Sequence, residues 1–158
     1  MDNFPDFDGA DNIPGLQGFN FIPFQDVDTI PDADDGLIDS AITLEGGKQW
    51  FTGYSTIGTL SYKEIGQKDD NGDYYEKELS GYIPKDSQEI RSLLDEMENY
   101  FFIIDYTDNN GNRKIIGSTT EPLSFKSDLN IDAGGDGKNG HNFIFSGSGI
   151  KKSYFYSP

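Results

Sequence analysis

The first forty-seven residues contain neither lysine nor arginine, yet they carry ten Asp, one Glu and five of the chain's twelve phenylalanines. The first basic side chain is Lys48. Like charge at this density opposes compaction, and without apolar content such a stretch stays disordered. Here the acidic run is punctuated by Phe4, Phe7, Phe19, Phe21, Ile22 and Phe24, and by Pro5, Pro14, Pro23 and Pro31. The segment has too little local order to fold alone, but it holds anchors that gain from burial. Each buried Phe is worth about 1.5–3 kcal/mol. Five would offset much of the entropy lost in ordering an extended arm. The composition predicts an extended acidic docking arm over residues 1–40, touching another subunit through Phe19, Phe21, Ile22 and Phe24. The β-rich domain is expected over residues 41–158.

The remainder of the chain, about 118 residues, is close to the usual size of a domain with a single core. Formal net charge is −16, of which eleven carboxylates lie in residues 1–47. A pI near 4.1 argues against tight binding to a phosphate backbone, where affinity comes from Lys and Arg releasing counterions. It does not oppose a surface that nucleic acid slides past. Cysteine is absent, which removes disulfides and thiolate metal sites. The start Met1-Asp-Asn-Phe-Pro5 lacks the basic and apolar regions of a signal peptide, and no run reaches the length of a membrane span. A soluble protein made in a cytoplasm is expected.

Short β-branched and aromatic runs separated by glycines predict strands at Ala41–Leu44, Gln49–Thr52 and Gly58–Tyr62. Asp69-Asp-Asn-Gly72 reads as a turn leading into a strand over Tyr74–Ile83. Ile90, Leu93, Leu94 and Met97 follow helical spacing, with Asp86 as the cap, Glu89 reaching back and Asn99 as a stop. This predicts one packed amphipathic helix over about 86–99. Tyr100-Phe-Phe-Ile-Ile104 is apolar on both faces and predicts a central, covered strand. Asp108-Asn-Asn-Gly111 is a hairpin turn into Arg113–Gly117. Strands over Pro122–Phe125 and Asn142–Phe145 follow, with a glycine-rich loop over 132–140. The sum is a mainly β fold, a β-sandwich or partly closed barrel with one helix.

Catalytic material is thin. The single histidine, His141, reads as a residue at the start of a strand, not as a member of a triad or metal site. Asp69, Asp70, Asn71 and Asp73, and likewise Asp105, Asp108 and Asn109, supply oxygens that invite calcium. Placing Gly72 or Gly111 at the sixth position of an EF-hand loop puts Gln67 or Tyr106 where an Asp is required. Both clusters therefore read as hairpin turns. Gly134–Gly140 has the glycines of a phosphate loop without the order of one. Trp50 reads as a core residue of a Trp-Phe strand, with a binding platform as the other reading. No metal, cofactor or catalytic residue is expected.

The order Phe21–Val27, Ile42–Trp50, Thr59–Tyr62, Phe101–Gly111, Ile116-Gly117, Pro122–Phe125, Asn139–Gly147 and Ser153–Tyr156 resembles small virion proteins of Bacteroidales phages, crAss-like phages included. The resemblance spans roughly residues 20–156 of this chain. Such proteins stack as rings in the neck and tail. The resemblance implies a non-enzymatic, homo-oligomeric ring with a negatively charged channel through which DNA passes without being held. Portal, adjacent ring or tail proteins would be its neighbours, with no membrane partner. It would be located in the virion after synthesis in the host cytoplasm. Further interfaces are expected in the 132–140 loop at Asp132, Asp136 and Lys138, and in the tail at Tyr154, Phe155 and Tyr156. The alternative is a β-sandwich module binding carbohydrate around Trp50 and the tyrosines, aided by calcium. A hydrolase built on carboxylates is a third reading.

Overall fold

The computed structural model describes residues 12–70, 72–134 and 137–158. Residues 1–11, which begin the expected arm, lie outside the described set. In chain order the strands are β1 (Leu16–Pro23), β2 (Val27–Thr29), β3 (Leu37–Ile38), β4 (Thr43–Leu44), β5 (Phe51–Thr52) and β6 (Ser61–Asp69). They continue with β7 (Gly72–Pro84), β8 (Phe101–Asp108), β9 (Arg113–Ile116), β10 (Leu123–Ile131), β11 (Asn139–Gly149) and β12 (Tyr154–Tyr156). A short 3-10 turn covers Phe24–Asp26, and one helix, α1 (Gln88–Met97), separates β7 from β8. The fold is mainly β, as expected.

The apolar run at Phe101–Ile104 organises it. Strand side chains alternate between faces, and β8 is buried on both. Phe102, Ile104 and Tyr106 enter one core, and Ile103 enters another. Along one edge of β8 runs β1, antiparallel from Leu16 opposite Asp108 to Pro23 opposite Phe102. The other edge is shared, because β10 pairs with Phe101 and Phe102 while β9 pairs with residues 104–107. The sheet forks there. One branch continues through β10, β11, β7 and β6, and the other through β9, β12 and β3. The ten-stranded mixed sheet does not close into a barrel; β2 and β4 form a separate small sheet. The first core lies between β1, β7, β8, β10, β11 and α1, and the second lies under β2, β3, β4 and β12.

Strand β1 corrects the expected boundary at residue 40. Within it Phe19 and Phe21 join the first core and Ile22 the second. Phe19 is 6% and Ile22 0% exposed. Farther along, β3 pairs parallel to β12. Residues 16–38 are thus woven into the domain. Gly18-Phe-Asn-Phe-Ile22 carries the period-2 alternation of a half-buried strand, and the density of acid around it hid that pattern.

The helix starts one residue later than its expected cap. The Ser87 hydroxyl accepts from the Ile90 amide at 3.2 Å, so Ser87, not Asp86, is the N-cap. Asp86 instead pairs with Arg91 at 2.7 Å. The Asn99 side chain donates to the Asp95 and Glu96 carbonyls and closes the helix as expected. Leu94 and Met97 are buried, whereas Leu93 stays 54% exposed.

Candidate functional site

The expected interface residues are placed largely inside the molecule. Phe19 and Ile22 are core, Phe21 is packed on the first core, and Phe24 lies against the second. Phe19 contacts the Phe143 and Phe145 rings, and Phe21 contacts those of Phe51, Phe102 and Phe145. In the C-terminal strand, Tyr156 is buried and its hydroxyl accepts from the Ile42 amide at 3.1 Å. Tyr154 packs on the same core. Phe19, Ile22 and Tyr156 are thus core residues, and Phe21, Phe24 and Tyr154 are half-buried against the cores; pairing of β12 between β9 and β3 draws the tail inward. Phe155 keeps an exposed ring, with the Lys114 ammonium 4.4 Å from its centroid.

The 132–140 loop closes the β10–β11 hairpin, paired as far as Ile131 with Asn139. Asp132 accepts from the Lys138 amide at 2.8 Å and so shapes the turn. The Lys138 ammonium lies 5.4 Å from the centre of the Tyr82 ring. Asp136 lies outside the described residues.

His141 is a strand residue of β11, 4% exposed, with Nε2 3.1 Å from the Asp86 carboxylate. Trp50 is half-buried against the second core. Of the two suspected calcium clusters, one holds Asp108, whose Oδ1 accepts from the Asn110 and Asn112 amides. The other two side chains of that cluster are also engaged: Asp105 is clasped by Arg113, and Asn109 donates to the Pro14 carbonyl at 2.7 Å. Asp69 and Asp73 flank the β6–β7 hairpin, and Asn71 lies outside the described residues. Among the described residues no three His, Asp or Glu side chains gather where an ion could be held. No helix among them is long and apolar enough to cross a membrane.

Two surface features remain, of which only the acidic one was foreseen. The first is an exposed apolar strip. Phe51 is 45%, Leu93 54%, Tyr54 61% and Ile57 99% exposed. They are linked through three adjoining hollows. Phe51 and Leu93 share one of about 390 Å³, and Leu93 and Tyr54 share one of about 220 Å³ floored by the phenylalanines of the first core. Tyr54 and Ile57 share a cleft of about 650 Å³ between residues 14–19 and 53–60. Singly exposed hydrophobes are ordinary, but a contiguous set marks a surface meant to be covered. The four residues between Gly53 and Gly58 form too short a run for the sequence to reveal it.

The second feature is acidic. Asp28, Asp32, Asp34, Asp35 and Asp39 are all exposed on the segment covering the second core. The first base along the sequence, Lys48, is paired with Asp26 at 3.0 Å. Nothing basic in that segment offsets the field these carboxylates set up.

Below the first core the interior turns polar. Glu64 and Lys77 are directly opposite each other on β6 and β7. The Glu64 carboxylate accepts from the Tyr62 hydroxyl at 2.9 Å and the Ser153 amide at 2.7 Å. The Tyr62 and Tyr106 rings lie 5.0 Å apart. Burial pushes both tyrosines far above their usual range, and burial pulls the Lys77 ammonium below its own.

The geometry defines a forked, two-core β domain bearing an apolar strip and an acidic face. Searches against protein-family models, curated proteins and solved structures returned no match.

Proposed function

We propose that this chain is a structural virion protein, forming a homo-oligomeric ring in the neck or tail of a phage. The observation that carries the reading is the contiguous strip of Phe51, Leu93, Tyr54 and Ile57 left in water. Identical copies joined head to tail cover such a surface repeatedly until the ring closes. Phe51 stands on β5 and Leu93 on α1, while Tyr54 and Ile57 lie on the 53–60 loop between β5 and β6.

The acidic face then has a use. Turned toward a lumen, Asp28, Asp32, Asp34, Asp35 and Asp39 repel the phosphate backbone, so DNA passes without being held. Portal, neighbouring ring or tail proteins would stack above and below. The resemblance of the strand order to Bacteroidales phage virion proteins supports the same reading. The chemistry asked of the chain is architectural and needs no cofactor.

Quantitative mass spectrometry of purified particles tests this, with the major capsid protein as the standard. A ring protein is present at roughly a dozen to a few dozen copies per particle. A chain found free in cells or medium and missing from particles overturns the proposal.

A further inference from the structure

Strand β6 ends the longer branch of the sheet, and its outer edge has no partner strand among the described residues. The strands that end the sheet elsewhere, β3 and β5, are two residues long, whereas β6 has nine. A long open edge leaves a row of amide and carbonyl groups ready to pair with another chain. Lysines on such an edge usually oppose pairing, and β6 carries Lys63 and Lys68. It also carries Glu64 and Asp69, and the placing of these four charges points to a partner.

Two identical strands paired antiparallel about a two-fold axis meet at one central residue. Centring β6 on Gly66 sets Lys63 opposite Asp69 and Glu64 opposite Lys68, and each contact occurs twice. Centres at Lys63, Glu64, Lys68 or Asp69 set a charge against itself, and centres at Ile65 or Gln67 bring no two charges opposite. Opposite charges directly across a strand pair favour it, and like charges oppose it. The strand therefore selects one register. In that register the two Ile65 side chains, each 50% exposed, lie diagonally across the axis, on the same face as Lys63 and Asp69.

We propose that β6 of one copy pairs with β6 of a second, antiparallel and centred on Gly66. Residues 63–69 are exposed apart from Glu64, which is half-buried. Within each copy Glu64 accepts from Tyr62 and Ser153, Lys68 pairs with Asp73 at 3.8 Å, and Lys63 lies across from Glu78 of β7. Exposed ion pairs add little affinity, so the charges choose the register while the backbone ladder and the isoleucines supply the hold. The contact goes beyond the ring reading and is argued from β6 itself. A two-fold contact does not propagate around a ring, so in the assembly it joins copies from two rings face to face. Residues 63–69 bury too little to hold free copies together for long, whereas two rings present many such edges at once.

The chain has no cysteine, so a disulfide in a single-cysteine variant must join two copies. Residues directly opposite in antiparallel strands have Cα atoms about 4.5–5.5 Å apart, within disulfide reach. Gly66→Cys fits the fold, because a Cβ there meets only the Tyr75 ring, at 3.5 Å. Under mild oxidation the full chain carrying Gly66→Cys should form a disulfide dimer about tenfold faster than one carrying Ser61→Cys on the same strand. Lys63→Asp beside Gly66→Cys should remove that advantage, and adding Asp69→Lys should restore it. Equal rates for Gly66→Cys and Ser61→Cys, or no response to the charge exchange, overturn the pairing and leave the ring standing. A Gly66→Cys disulfide that follows the charge exchange in a chain forming no ring supports the pairing and removes the ring.

Discussion

Arg113 clasps Asp105 diagonally across the β8–β9 pair, its Nε 2.8 Å from one carboxylate oxygen and 3.0 Å from the other. Asp105 is 2% exposed, and the guanidinium carbon lies 4.6 Å from the centre of the Tyr156 ring. The hydrogen bond to Asp105 holds the Arg113 guanidinium above its usual pKa. The pair thus fixes the C-terminal strand against the second core. Removing one partner of a buried pair leaves the other charge uncompensated, whereas removing both is far less harmful. Arg113→Met should cost about 3 kcal/mol of stability in urea unfolding. Adding Asp105→Leu should recover most of it. A single variant as stable as the parent would show that the pair bears no weight.

Phe19 and Ile22 separate a docking arm from a structural strand. As core residues, Phe19→Ala and Ile22→Ala should each lower stability by about 2–5 kcal/mol, as cavity-forming changes do. An arm would unfold at unchanged denaturant concentration after either change. Thermal and urea melts of the full chain decide between them.

Alkaline stability follows from the polar interior. Burial raises Tyr62 and Tyr106 above the ordinary tyrosine value of 10.0. The unfolded chain therefore loses these protons first, and the folded state binds more protons above that pH. Their contribution is complete below about pH 10 and is lost as pH climbs past it. Lys77, lowered by burial below 10.5, works the other way. Its penalty is present at neutral pH and is relieved as pH approaches its unfolded value. Stability should rise slightly toward about pH 10 and then fall. Absorbance at 295 nm should show two of the nine tyrosines protonated until the chain unfolds. All nine ionising together in folded protein would contradict this.

Close approach makes Gly140 irreplaceable while Gly18 is not. A Cβ at Gly140 would fall 2.2 Å from the Ile83 carbonyl oxygen across the β11–β7 ladder, whereas one at Gly18 meets nothing within 4 Å. Backbone cannot yield as a flexible side chain can. Gly140→Ala should cost about 2 kcal/mol, and Gly18→Ala should be neutral or slightly stabilising. Equal melts for the two would refute the contact.

Much of the fold was legible where local pattern and environment agreed. Phe101–Ile104 announced a strand covered on both faces, and Ile90 to Met97 announced the helix. Asp108–Gly111 announced a hairpin turn. What failed was context. The alternation in Phe19-Asn-Phe-Ile22 sits in so acidic a run that charge outweighed it, and only the β8 ladder explains its burial. The tail of β6, Gly66–Asp69, is polar on both faces and takes strand form from its partner β7. The apolar strip was illegible because Phe51, Tyr54, Ile57 and Leu93 meet only in space.

The central claim is that the strip of Phe51, Leu93, Tyr54 and Ile57 joins copies into a closed ring. Native mass spectrometry of the full chain, with Ile57→Asp beside it, tests this most directly. Ile57 is 99% exposed, so the change should leave the melting transition in place. The account predicts a single closed stoichiometry for the parent and monomer for the variant. A parent monomeric at every concentration, or an oligomer indifferent to Ile57→Asp, would contradict it.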